Sequence, residues 1–527
     1  MEAPIAGTLA DALVRAADLW PDDVGWVFED QRVTRAQMLA NADRVAATLI
    51  ARGVEPGDRV AVWLPNRVEW AQLLFGCARI GAVLVSLNTR WKSFEAGYVF
   101  AHASPRLVVV QRHLLNIDFA DLLADLGWPA GTGGGAGLDV VEVEGPDGAQ
   151  LPGATPWSEF LDEGIAVPHQ TVLERSSRLM PTDPVLLQYT SGSTARPKGA
   201  LIAQRAVLNY GVEVVDRLGM VAGEAYLNPQ PLYHVAGSCL ALPVPLSRRI
   251  RSVMPCYYDA LRVLELTERE GCVARGGTPT MYLDEMNHPR FDDIDTSSLR
   301  AGWVGAPPAV LDRIRADYPV EGLVNLYAAT EGGGTWGDAT DSWEVRRLST
   351  GRALTGTELR IRDLGSGAKA PTGEVGEIGF RGWNQLLEYF NDEQKTAEAF
   401  DAEGYVYLGD LGYVDEAGHL YYVGRIKDMI RSGGENVAAE EVETFLAEHP
   451  LIRQVAVIGR PDDRMGEVVV AVVEPVAPGA ISEADVIEHC RGRLAGFRTP
   501  KAVYFVEEWP ATSSGKIHKP TLRQRFG

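Results

Sequence analysis

The first hundred residues alternate between helical and strand periodicity, and this rhythm limits the fold more than any other feature of the chain. Thr34-Arg35-Ala36-Gln37 has the form of a capping box, and Leu39, Ala42, Val45, Ala46, Leu49 and Ile50 follow on one helical face, with Gly53 at the stop. Residues 60–64 then read as a strand, 70–80 as a helix and 83–87 as a strand. Strands separated by single helices predict an α/β chain, with mainly parallel sheets covered by helices.

A chain of 527 residues is long enough for two or three domains and a large core. Its 46% hydrophobic and 23% charged content fits a soluble globular protein. The net charge of −21 argues against nucleic acid or an anionic membrane as partner, although a local basic loop still allows a small anion. Cys77, Cys239, Cys256, Cys272 and Cys490 are scattered, odd in number and without metal-ligand spacing, which predicts free thiols in a reducing compartment. Met1-Glu2 begins no basic leader, Asp11 and Arg15 interrupt the segment that follows, and no apolar run is long enough to span a bilayer. The expectation is a cytoplasmic protein.

The pattern changes near residue 427. A helix at 438–449, strands at 455–458 and 468–473, a helix capped by Ser482 and a strand at 502–505 predict a small α+β unit. The expected domains are therefore 1–426 and 427–527. Residues 131–137 are glycine-rich, but no strand leads into them and a strand pattern follows, so they read as a surface loop and not as a dinucleotide fingerprint.

Two segments carry the chemistry. Thr190-Ser191-Gly192-Ser193-Thr194-Ala195-Arg196-Pro197-Lys198-Gly199 follows the apolar run 185–189, so it leaves a strand end, where α/β folds bind ligands. Its small and hydroxyl residues let a backbone approach phosphates, and Lys198 adds a charge. It is not a Walker A loop, since Pro197 and Gly199 flank the lysine. Far downstream, Ser514-Gly515-Lys516 presents one lysine on a tight turn.

The first segment resembles the signature loop of the acyl-adenylate-forming superfamily, which includes acyl-CoA synthetases, adenylation domains and luciferases. Further motifs follow in the family's order. Tyr327-Ala328-Ala329-Thr330-Glu331 is similar to Tyr-Gly-x-Thr-Glu, and Tyr407-Leu408-Gly409-Asp410 to Thr-Gly-Asp. Gly424 through Asp428 resembles the hinge, and Pro510 through Lys516 the catalytic-lysine motif. Taken singly, Asp410 is also turn chemistry, Glu331 also a helix N-terminal acid and Lys516 also a surface lysine; the ordered set makes them a site.

The resemblance implies the roles. Thr190, Ser191, Gly192, Ser193, Thr194, Lys198 and Gly199 would grip the phosphates of ATP. Thr330 would contact the α-phosphate region, and Glu331 would bind Mg²⁺. Gly305-Ala306-Pro307 and Tyr327 would sandwich adenine, with Asp410 on the ribose and Arg425 beside it. Lys516 would bridge the carboxylate and the α-phosphate in the transition state. Lys427 would be the hinge, and Gly433 and Gly434 would turn toward a pantetheine channel for CoA. His234 would line the acyl pocket, as would Val304 and Ala328, where the family commonly has glycine. That extra bulk predicts a small or aryl acid. Two departures, Ala195 for glycine and Leu408 for threonine, bear on nucleotide affinity. The reaction implied is acid plus ATP to acyl-AMP, then transfer to CoA. A carrier-protein pantetheine, nitrite activation for diazotisation, and an inactive scaffold are the alternatives, and a homodimer is left open.

Overall fold

The computed structural model describes residues 3–128, 138–190, 197–432, 435–462, 464–491, 493–511 and 517–527. Within them, Thr34 caps the helix Arg35–Ala51 with both bonds of the predicted capping box, and Gly53 takes a left-handed φ of 72° just past its end. The helix Val68–Ile80 begins two residues before its expected start.

Valine-rich runs form the centre of one sheet. Arg59–Trp63 lies between Val83–Ser86 and Leu107–Val110, all parallel, with Val60 level with Leu84 and Leu107. Pro184–Thr190 extends the sheet in parallel, and Lys198–Ala203 then Glu388–Tyr389 close that edge antiparallel. The second sheet runs parallel from Gly322–Ala329 through Ala301–Val304, Cys272–Gly276, Ala225–Leu227 and Arg251–Met254 to Val24–Phe28. Strand periodicity sends neighbours to opposite faces. Val60, Val62, Tyr226 and Trp303 enter a core shared by both sheets and the helices Arg35–Ala51, Val68–Ile80 and Gln204–Arg217. Ala61 and Trp63 face one outer core, while Leu227 and Val304 face the other.

A four-stranded antiparallel sheet follows: Glu358–Arg362, Gly376–Arg381, Val406–Val414 and Leu420–Arg425. A single 3₁₀ turn, Ile426–Asp428, leads from its last strand into the terminal unit. There Ile452–Asp462 and Gly466–Pro475 form a long hairpin, joined in parallel by Ala502–Phe505. Ser482 caps Glu483–Cys490 as its sequence predicts.

Candidate active site

The ends of three strands meet around Tyr389. Thr190 and Lys198 are register partners, so they close the chain on either side of the phosphate-type loop. Ser191, Gly192, Ser193 and Thr194 of that loop lie outside the described residues. Lys198 Nζ stands 5.0 Å from the centroid of the Tyr389 ring. The Tyr389 hydroxyl donates to Glu331 Oε1 at 2.9 Å. The main chain ties these groups together: Leu386 N–H donates to the Glu331 carbonyl at 2.8 Å, and Phe390 N–H to the Gly199 carbonyl at 2.8 Å. Burial, reinforced by the Glu331 carboxylate, pushes the Tyr389 phenol well above its usual range, so it stays a neutral donor. Thr330 is half-buried beside Glu331.

Four residues earlier in the sequence, Tyr327 donates its hydroxyl to Asp410 Oδ2 at 2.7 Å. Arg425 Nε sits 2.7 Å from Asp410 Oδ1 across the pairing of Val406–Val414 with Leu420–Arg425. Asp410 is only 1% exposed, so in this arrangement a ribose reaches it only if Tyr327 or Arg425 yields. Burial first, and the Asp410 carboxylate second, push the Tyr327 phenol far upward. The Tyr327 ring stacks on Tyr422, with centroids 5.9 Å apart and planes 25° apart, so one of its faces is already covered. Gly305 and Pro307 are exposed. Asn325 brackets Ala306, accepting from its N–H at 3.2 Å and donating to its carbonyl at 3.1 Å. That bracket fixes the Gly305-Ala306-Pro307 segment beside the strand that carries Tyr327.

Of the three expected acyl-pocket residues, Val304 is fully buried with Leu311 and Ile314 in the core behind the sheet. The reason is strand alternation, which turns Trp303 toward the shared core and Val304 away from it. Trp303 donates its Nε1–H to the Tyr226 hydroxyl at 2.6 Å and meets Trp336 edge to face at 6.0 Å. Ala328 is exposed, and His234 is half-buried at the start of the short helix Val235–Ser238.

Lys427 is the exposed middle residue of the 3₁₀ turn. Gly433, Gly434 and Lys516 lie outside the described residues, although Ala511 and Ile517, which flank the lysine segment, form an antiparallel bridge. The last helix, Lys519–Phe526, returns to the turn, where Arg523 pairs with Asp428 at 2.7 Å. Lys519 sits 2.8 Å from Glu443 and 3.7 Å from Glu440, whose carboxylate presses against Gly424.

Glu331 suits a hard cation. Tyr389 occupies Oε1, and among the described residues Oε2 receives no donor. No group of three or more His, Cys, Asp or Glu side chains among the described residues could form a protein cage for a metal. One carboxylate beside a phosphate loop matches Mg²⁺ held largely by phosphates and water. The sequence reading missed Asn325, Tyr389 and Tyr422, because each acts through a partner distant in the chain. Only the aromatic doublets Tyr421-Tyr422 and Tyr389-Phe390 near the motifs hinted at the latter two.

Two wound sheets sharing a core, with a small terminal unit beyond a one-turn link, have the architecture of an adenylate-forming enzyme. The chain belongs to the AMP-binding enzyme family: the family model matches residues 13–390, and the AMP-binding enzyme C-terminal domain matches 441–516. A methyl-dioxo-octahydro-indenyl propanoyl:CoA ligase of Mycobacterium tuberculosis is 34% identical, over 98% of each chain. ATP-bound MatB from Rhodopseudomonas palustris superposes with a TM-score of 0.81 at 28% identity, over 98% of this chain and 99% of that one. The anthranilate CoA ligase AuaEII, in complex with anthranoyl-AMP, gives a TM-score of 0.84 at 25% identity, over 100% and 99%. The protein is an AMP-forming acid–thiol ligase. No helix among the described residues is long and apolar enough to cross a membrane.

Proposed function

We propose that the protein activates a small or aryl carboxylic acid with ATP to acyl-AMP, releasing pyrophosphate, and then transfers the acyl group to CoA. One observation carries the reading. A single strand and its turn, residues 322–331, supply both Tyr327 to the Asp410–Arg425 pair and Glu331 to the Tyr389–Lys198 pair. Groups suited to a nucleoside and groups suited to its phosphates thus lie four residues apart. The acid class is supported by bulk at this strand end, where Trp303 and Trp336 cross edge to face at 6.0 Å in the core shared with the helix Gln204–Arg217.

In this reading Lys198 and the loop before it hold the β- and γ-phosphates, and Glu331 holds Mg²⁺, which when bound neutralises phosphate charge. Asp410, released from Tyr327 or Arg425, accepts from the ribose. Lys516 steers the carboxylate onto the α-phosphate, and its charge matters most at the five-coordinate phosphorus. Rotation about Lys427 then withdraws Lys516 and brings Gly433 and Gly434 to the thiol channel.

The test is ATP-dependent pyrophosphate release across short-chain, aryl, C12–C16 and inorganic anions including nitrite, with and without CoA. A short-chain or aryl acid should give release without CoA and thioester with it. Preference for a C12–C16 acid overturns the acid class. Release with nitrite alone, or acyl-AMP that never passes to CoA, overturns the overall assignment.

A further inference from the structure

We propose that Tyr389 is the positioning residue of the phosphate end, holding Glu331 by its hydroxyl and Lys198 by its ring so that the two charges stay apart and both face the ligand. This rests on the reading above that Glu331 serves the cation and Lys198 the phosphates.

Lys198, at the start of a strand, and Glu331, in a turn, approach the same aromatic side chain. Opposite charges brought this close ordinarily pair, and a direct pair would consume the carboxylate lone pairs and the ammonium protons the ligand needs. Among the described residues neither group makes an ion pair with the other. Instead the Tyr389 hydroxyl donates to Glu331 Oε1 at 2.9 Å, which fixes the carboxylate and leaves Oε2 without a donor among the described residues. The ring offers its negative face to Lys198 Nζ at 5.0 Å, a contact that orients a cation without neutralising it.

The main chain leaves Tyr389 little freedom. Tyr389 is level with Ala200 in the antiparallel edge pairing, and it is 5% exposed. On one side Leu387 N–H donates to the Leu201 carbonyl at 2.7 Å and Phe390 N–H to that of Gly199 at 2.8 Å. On the other, Leu386 N–H donates to the Glu331 carbonyl at 2.8 Å. Residues 386–390 therefore splice the strand that begins with Lys198 to the turn that carries Glu331. The Tyr389 side chain, within that splice, contacts the functional group of each.

The hydroxyl and the ring make separable predictions. Tyr389→Phe removes only the tie to Glu331; Tyr389→Leu also removes the face beneath Lys198. Calorimetric titration of the full chain with ATP, in EDTA and in excess Mg²⁺, reads the two apart. The Phe variant should keep parental affinity for metal-free ATP and lose at least about fivefold of the gain that Mg²⁺ gives. The Leu variant should in addition bind metal-free ATP at least about fivefold more weakly. Glu331→Gln combined with Tyr389→Phe should cost the Mg²⁺ gain no more than Glu331→Gln alone, an arm that holds even if the Leu variant fails to fold. A Phe variant with the full Mg²⁺ gain, equal losses by Phe in both conditions, or additive losses in the double variant would overturn the proposal. A parent that binds no ATP in either condition overturns the functional reading as well.

Discussion

Glu440 shows how one side chain reports on the contact between the terminal unit and the rest of the molecule. It opens the helix Ala439–Ala447 and presses on Gly424, and Lys519, Glu443, Asp428 and Tyr422 surround it. Burial raises its carboxyl from 4.5 to about 7; Lys519 opposes the rise, and Glu443 and Asp428 add to it. Between those values the folded chain holds a proton that the unfolded chain has lost, so stability falls as pH rises through this window. Glu440→Gln removes the titration. Relative to the parent, the melting temperature of the variant should be close at pH 4.5 and higher at pH 8. A difference that does not change with pH would show that the carboxyl titrates normally.

At the scale of elements, the turn between Gly322–Ala329 and Gly332–Trp336 has almost no slack. Gly332 has a φ of 103°, and a Cβ there would lie 1.8 Å from the Asn384 carbonyl oxygen. Gly409, next to Asp410, has a φ of 78° but open space around it. Gly409→Ala should therefore cost only backbone strain, about 1–2 kcal/mol. Gly332→Ala must also displace main chain beside Glu331 and should cost distinctly more, with pyrophosphate release lost alongside. Denaturant unfolding of both variants checks the ranking; equal costs would refute it. The elements themselves were legible where periodicity and caps agree, as at Thr34, Ser482 and the valine-rich strands. The faces of Ala301–Val304 were less legible. Which core each side chain enters depends on register against neighbouring strands, and Val304 joins the core behind the sheet while Trp303 joins the shared one. Tyr389 and Asn325 were invisible for a related reason, since their partners lie 58 and 19 residues away and only the folded sheet edges bring them together.

For the molecule as a whole, the link between the large part and the terminal unit is one 3₁₀ turn, the kind of short tight segment that often marks a hinge. Lys427→Pro fixes φ there and should retain adenylate formation while losing thioester formation. Lys516→Ala should do the reverse, cutting adenylation by on the order of a hundredfold or more while sparing thiol attack on supplied acyl-AMP. Single-turnover kinetics of each half-reaction distinguishes the two. A proline variant that makes thioester at the parental rate would place the pivot elsewhere. Finally, the Arg523–Asp428 pair brings the close of this unit back to its own beginning. Under the proposed function, this tie couples the helix that follows Lys516 in sequence to the turn that carries Lys427, so a single charge pair would join the lysine's own segment to its pivot.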